Sequence, residues 1–261
     1  MQKEPIYLEK RGEIGVMVLN RPSKLNALNT DVWTGIKRIT DQVADDTNIK
    51  VMVVKGVTSA AFSAGADISE FSKIHATEES MKASEAITRA AFDGVADLVK
   101  PIIAMVSGYC FGGGCALALA CDVRYADRSA KFRIPPARLG VAYTLRETKR
   151  LVDLVGPSKA KEMLMGAKVI EAEEALACGL ATRLFDASEL EAETFDFADS
   201  LCWLSQFTIR AVKTIIAEIT AGATDENAVS RKLRADAFAG PDYKEGRAAF
   251  LEKRQPRFEY R

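Results

Sequence analysis

Histidine is almost missing from this chain: His75 is the single one in 261 residues. A zinc site built on imidazoles, or a Ser-His-Asp relay, depends on that residue type. The surrounding SKIHATEES reads as a polar helix end or loop, so His75 is expected to be a solvated histidine and no metal site is expected. The five cysteines are odd in number and lack C-x-x-C spacing. That pattern fits a reducing compartment, with Cys110, Cys115 and Cys121 read as small buried hydrophobes. Neither sign of charge is in excess, since 36 basic residues balance 36 acidic ones. The chain therefore has no general drive toward nucleic acid or an anionic membrane. No run approaches the roughly 20 apolar residues of a membrane span, and MQKEPIYLEKRGEIG lacks the apolar core of a signal peptide. The expectation is a cytoplasmic protein with neither membrane nor nucleic-acid partners. G-x-x-x-x-G-K-[ST], G-x-G-x-x-G and G-x-S-x-G are also absent, which removes the signatures of phosphate cradles and of the hydrolase elbow.

What is present is an alternation of short β-branched runs and amphipathic helices. IYLEK and IGVMVLN read as a strand pair turned at Arg11 to Glu13, and KVMVVKG and PIIAMVSG as buried strands. Between them, DVWTGIKRITDQVADD and ESMKASEAITRAAFDGVADLV place apolar residues three and four apart, the mark of helices with one face on a core. Gly112 to Ala120 reads as a further helix and Asp122 to Ala126 as a short strand. The order defines an α/β fold. From about Ser188 onward strand signals stop, and ELEAETFDFADSLCWLS, FTIRAVKTIIAEIT, ENAVSRKLRADAFAG and DYKEGRAAFLEKR all read as helices. Residues 1–190 are thus expected to form an α/β core and 191–261 a helical region.

Two loops rich in small residues remain. FSAGADI, Phe62 to Ile68, follows the strand KVMVVKG and leads toward a helix near Ser69. In SGYCFGGGCALALACD, three consecutive glycines run into an apolar helix. Free N–H groups and the positive end of a helix dipole make such turns anion sites, and small residues let a ligand reach the main chain. The competing reading is that the glycines allow close helix packing and Asp67 caps the following helix.

NRPSKLNAL, FSAGADI, SGYCFGGGC and FLEKRQPRF, in this order along essentially the whole chain, resemble the enoyl-CoA hydratase/isomerase (crotonase) family. The resemblance implies a crotonase-like ββα spiral core with a C-terminal helical oligomerisation region, assembled as a homotrimer or a dimer of trimers. It implies an acyl-CoA substrate, with coenzyme A present only as part of the substrate thioester and no other cofactor. It places on Ala66 and Gly113 the two backbone amides that hold a thioester oxygen as enolate charge develops. It implicates Lys24, Leu25, Ala27, Ala64, Gly65, Asp67 and Ile68 in binding CoA, with Phe250 and Lys253 contributed by a neighbouring subunit. From Arg231 to Arg261 the chain carries nine basic and five acidic residues, which fits a local anion contact or a solvated helix end.

The chain departs from the family pattern where its hydratases carry two glutamates. Those positions hold Ala116, in GGGCALAL, and Pro136, in FRIPPARLG, and neither side chain can deprotonate water or protonate a carbon. Other groups are candidates for the chemistry. Tyr143, in LGVAYTL, stands in a context similar to methylmalonyl-CoA decarboxylases, although those carry a histidine where Ala66 stands and an acid at the Ala116 position. Glu147 is either a displaced base or an acid stabilising its own helix start. Arg138 shares strand parity with Pro136 and is either a contact for a substrate carboxylate or solvated. Three functions stay open: an enolate-forming decarboxylase or isomerase, a hydratase with rerouted acid and base, and a non-catalytic acyl-CoA binding protein.

Overall fold

A computed structural model describes residues 4–259. Residues 1–3 and 260–261, the outer ends of the two expected regions, lie outside the described residues, and Arg261 of the basic C-terminal count is among them. The chain opens with the antiparallel pair β1 (Ile6–Arg11) and β2 (Ile14–Leu19), turned by Gly12 at φ 62°. Helix α1 (Thr30–Asp45) starts where the Asn29 side chain accepts the Val32 amide at 3.2 Å, and it buries Val32, Trp33, Ile36, Ile39 and Val43. Next come β3 (Val51–Gly56), β4 (Ala61–Ser63), a 3-10 turn at Ile68–Glu70, α2 (Phe71–Ile74) and α3 (Glu78–Ala96). A Thr77–Ser80 capping box starts α3. Then follow β5 (Ile102–Val106), β6 (Tyr109–Phe111), α4 (Gly113–Ala120), β7 (Val123–Asp127), β8 (Lys131–Arg133) and a short α5 (Pro136–Leu139). The span α6 (Leu145–Gly166) is two helical pieces broken at Gly156, φ 74°, immediately before Pro157. After β9 (Ile170–Glu171), α7 (Ala172–Ala177) and β10 (Arg183–Phe185), only helices remain among the described residues: α8 (Leu190–Cys202), α9 (Gln206–Thr220), α10 (Ala228–Ala239) and α11 (Pro241–Glu252).

The main sheet has the order β1-β2-β3-β5-β7-β10, parallel except for the β1–β2 pair. A second sheet of very short strands, β4-β6-β8-β9, stacks the loops that follow those strands. β3 shows why the fold closes. Val51 and Val53 point into a core shared with Phe195 and Ala198 of α8, while Met52 and Val54 point into the core under α1 and α3. A strand buried on both faces reads as a continuous apolar run, and VMVV is one. α4 carries no polar side chain and is buried from Gly114 to Ala120, as a helix apolar on every side must be. Its N-terminus is therefore held rigidly from all sides.

Of the two readings of Arg138, the exposed side chain fits the solvated one, and the strand parity behind the other is absent. PPAR does not continue the strand β8. Pro136 sits at the first position of α5, where its fixed φ and missing N–H suit a helix start, so the period-2 parity with Arg138 does not exist.

Candidate functional site

The loop after β1–β2 is built on backbone bonds that tie three chain segments together. Leu25 and Asn26 adopt φ of 49° and 55°, and the buried Asn26 side chain holds this turn by accepting the Arg21 amide (2.9 Å) and donating to the Ala61 carbonyl (2.8 Å). Ala64 N–H donates to Leu25 O, Leu28 N–H to Gly65 O and Asp67 N–H to Leu28 O, at 2.9, 2.8 and 3.0 Å. The fully buried Ser63 hydroxyl donates to Asn26 O (2.8 Å) and accepts from Gly65 N–H (3.1 Å). Arg21 closes the assembly. Its guanidinium donates to Ala27 O at 2.5 Å and pairs with Asp67 at 2.8 Å, both side chains being mostly buried. The Ser69 hydroxyl foremost, then Arg21, hold the Asp67 carboxyl below its ordinary range.

This framework presses the Gly65–Ala66 loop against the start of α4. A Cβ on Gly65, whose φ is 99°, would meet the Phe111 carbonyl at 2.9 Å and the Gly113 nitrogen at 3.4 Å. A Cβ on Gly113 would stand 3.6 Å from the Ala66 nitrogen. The amides of Ala66 and Gly113 are thus neighbours across a narrow gap, and neither donates a hydrogen bond to another described residue. Gly112 N–H is bound to Arg133 O at 2.7 Å, and the intrahelical ladder begins with Ala116 N–H to Gly112 O at 3.0 Å. Gly113, as the first helical residue, has no intrahelical acceptor. The three glycines do different work. Gly112 takes φ 50°, ψ −121°, and Gly114 lets α4 sit on Ser63, where a Cβ would come within 2.6 Å. Two unpaired amides at the end of a helix can hold an oxyanion.

Tyr143 reaches this gap. Its hydroxyl lies 3.6 Å from where a Cβ of Gly112 would be, and it has no hydrogen-bond partner among the described residues. Burial, and next Cys115 and Glu147 nearby, push the phenol well above its ordinary range, so it stays protonated. Glu147 is less free. It forms a capping box with Thr144, its carboxylate accepting the Thr144 amide at 3.2 Å. Ala116 is buried in α4 and Pro136 is buried in α5, so no carboxylate stands at either position. Arg138 is exposed on α5.

Next to Tyr143 opens a cavity of about 520 Å³ between α2–α3 and the start of α6. Ile74, Met81, Phe92 and Leu145 form its apolar walls, and Thr144 and Glu147 belong to it. The Phe92 ring packs edge-on against Trp33, with centroids 5.1 Å apart, and Trp33 lies beside Gly113, 3.2 Å from its Cβ position. His75 is exposed at the end of α2, as expected, yet it also lines this cavity.

Of the other expected binding residues, Lys24 is exposed on a 3-10 turn, Leu25 is 39 % exposed and Ile68 is 64 % exposed. Phe250, 83 % exposed, and Lys253, at the left-handed end of α11, make no hydrogen bond with these loops among the described residues. Among the described residues no group of three or more His, Cys, Asp or Glu is placed to hold a metal, and no helix is long and apolar enough to cross a membrane. The Arg21–Asp67 pair was not anticipated. The two residues are 46 positions apart by their numbering, and only the NR and AD dipeptides of the two loops hinted at it.

The scaffold thus presents, at a loop and at a helix start, two neighbouring amides that no described protein group accepts from, a geometry able to hold an oxyanion. The enoyl-CoA hydratase/isomerase family model matches residues 9–261. The crotonyl-CoA hydratase of Syntrophomonas wolfei is 37 % identical over 99 % of both chains, and the short-chain-enoyl-CoA hydratase of Clostridium acetobutylicum is 31 % identical over 98 % of this chain and 97 % of that one. An enoyl-CoA hydratase/isomerase family protein from Hyphomonas neptunium superposes with a TM-score of 0.95 at 38 % identity, covering 98 % of each chain. An enoyl-CoA hydratase/carnithine racemase from Magnetospirillum magneticum gives 0.94 at 32 % identity, covering 100 % of this chain and 97 % of that one. The chain belongs to the enoyl-CoA hydratase/isomerase family.

Proposed function

We propose that the protein is an acyl-CoA lyase or isomerase that forms a thioester enolate in the gap between Ala66 and Gly113, without a glutamate pair. The observation that carries this reading is the neighbouring pair of unpaired amides beside a protonated Tyr143 hydroxyl, with Ala116 and Pro136 offering no acid or base. Decarboxylation of a malonyl-type thioester suits that equipment. The bond from the α-carbon to the carboxylate breaks and carbon dioxide leaves. The electron pair moves into the thioester, whose oxygen takes hydrogen bonds from the Ala66 and Gly113 amides. Tyr143 then gives its proton to the α-carbon, and solvent water returns a proton to the phenolate. No base is required, because the enolate arises from loss of carbon dioxide. A double-bond shift would use the same hole, with Tyr143 or Glu147 moving the proton.

Hydration is the second reading, favoured by the names of the relatives from Syntrophomonas and Clostridium. It requires Glu147 to leave its capping box and activate water. In a third reading the chain only binds acyl-CoA. The CoA moiety lies along Lys24, Leu25, Ala27 and Ala64 to Ile68, with Phe250 and Lys253 supplied by a neighbouring subunit. The apolar side chains left exposed on α9 to α11, among them Ile216, Ile219, Phe238 and Leu251, support assembly as a trimer or a dimer of trimers. The five free thiols support a reducing, cytoplasmic setting. The test is incubation with malonyl-, methylmalonyl- and ethylmalonyl-CoA, followed by mass spectrometry. Loss of carbon dioxide from at least one of them, abolished by Tyr143→Phe, is the expected result. No conversion of any of them overturns the decarboxylase assignment.

A further inference from the structure

The cavity beside Tyr143 has a charged end. Arg89 and Asp93 from α3 meet Arg146 and Arg150 from α6. Three guanidiniums converge on the single Asp93 carboxylate: Arg146 at 2.5 Å, Arg89 at 3.5 Å and Arg150 at 3.9 Å. Only the Arg146 contact is within hydrogen-bond distance. Arg150 is the informative member. Its side chain is 21 % exposed, against 56 % for Arg146 and 68 % for Arg89, and it donates no hydrogen bond to the protein. A mostly buried arginine side chain whose nearest carboxylate oxygen lies beyond hydrogen-bond range has spare capacity for a planar, bidentate acceptor.

The other titratable groups of the cavity do not supply that acceptor. Glu147 is engaged with Thr144 N–H in the capping box, Glu85 is exposed with no ion pair, and His75 is exposed at the end of α2. With three arginines against Asp93, Glu85 and Glu147, the empty cavity has no net charge. Recognition here therefore rests on the unmet hydrogen-bonding capacity of Arg150 and not on a general field. The rest of the lining is apolar, and the volume of about 520 Å³ lies within the roughly 300–1,000 Å³ of small-molecule sites. Phe92 lines the cavity and packs on Trp33, which in turn packs beside Gly113, so the charged end of the cavity connects to the amide gap through these two rings. A carboxylate bound by Arg150 is therefore read as one at the far end of the acyl chain, distinct from any carboxylate lost at the carbon next to the thioester.

We infer that this cavity selects acyl-CoA thioesters whose acyl chain ends in a second carboxylate, gripped by Arg150 with Arg146 and Arg89 at the cavity mouth. The inference rests on the acyl-CoA reading of the neighbouring amide pair and adds the substrate class. Sequence reading had looked for such a contact at Arg138, which is exposed on α5 and does not line the cavity.

Titration calorimetry with glutaryl- and adipoyl-CoA against valeryl- and hexanoyl-CoA, paired by chain length, tests it on the full chain. At least one diacid thioester is expected to bind about tenfold or more tightly than its monoacid partner, the worth of a charge-assisted bidentate contact. Arg150→Gln is expected to remove that preference while leaving the monoacid affinity unchanged. Should Arg150→Gln fail to fold, Arg146→Ala, on a more exposed side chain, carries the same test with a smaller expected loss. Monoacids binding as well as or better than diacids overturn the inference and leave the acyl-CoA reading standing. A diacid preference untouched by both substitutions also overturns it. No binding of any of the four thioesters, nor of acetyl-CoA, overturns the reading beneath it.

Discussion

Replacing Gly113 by proline removes one N–H and puts the ring's Cδ where that hydrogen pointed, into the gap. Gly113 is the first residue of α4, a position whose amide has no intrahelical acceptor and whose φ proline already matches. The bonds on either side survive, since Gly112 N–H still reaches Arg133 O and Ala116 N–H still reaches Gly112 O. The added ring atoms meet Trp33, whose nearest carbons lie 3.2 and 3.3 Å from the Cβ position, so that ring must yield by a few tenths of an ångström. The expected stability cost is about 1 to 2 kcal/mol, at the low end of core overpacking. The expected loss of turnover is about 10² to 10³, the effect of deleting one donor from an oxyanion hole. Gly113→Ala separates the two effects, because it meets the same indole yet keeps the N–H. It should melt like the proline variant and retain most of the activity. The assay is turnover of whichever malonyl-type thioester the wild type converts, with thermal melts and acetyl-CoA calorimetry on both variants. A proline variant that folds, binds acetyl-CoA and turns over within about tenfold of wild type refutes the role given to this amide.

Tyr143→Phe should lower turnover by about 10² to 10⁴ with thioester affinity unchanged, as expected for removal of a positioned acid, and equal rates would contradict that role. Because burial raises its pKa, wild-type turnover should show no limb from Tyr143 below its ordinary value of about 10, which a pH–rate profile checks. Asp67 has its folded pKa depressed, so its contribution to stability is complete above the unfolded value of about 3.9 and fades as pH falls through the lower folded value. Asp67→Asn should therefore flatten the acid limb of melting temperature against pH, and an unchanged limb would remove the Arg21–Asp67 pair from the account. Sedimentation at micromolar concentration should show a trimer or hexamer, and a fully active monomer would contradict the subunit-shared CoA site.

Five of the six main-sheet strands were legible because they are long enough to declare themselves: IGVMVL and IIAMV are apolar throughout and VMVVKG over its first four residues, while β10, at three residues, was not read. α1 and α3 show spaced apolar faces. The second sheet was not legible, because β4, β6, β8 and β9 are only two or three residues long and carry no readable period. PPARLG misled for a related reason. A strand of three residues ends before the prolines, and the pattern reads on as if it had not. The two loops FSAGADI and FGGGC could be read as anion sites from their glycine and alanine content, while placing the donors on Ala66 and Gly113 came from the family resemblance. The arginine cavity could not be read. Arg89 with Asp93 is a visible i, i+4 pair, but Arg146 and Arg150 join it only because α6 packs across α3, and each alone reads as a solvated helix charge. Ser63 was also silent, since its hydroxyl joins two loops only after both have folded.

The most direct test of enolate formation without a glutamate pair is the rate at which the unmodified protein hydrates crotonyl-CoA, measured beside a family enzyme that carries both glutamates. On the proposed reading, in which Ala116 and Pro136 stand where hydratases carry their acid and base, hydration should be slower by several orders of magnitude, since each positioned acid or base contributes about 10² to 10⁴. Hydration at a rate comparable to the two-glutamate enzyme would contradict the account, and would mean that Glu147 leaves its capping box to activate water.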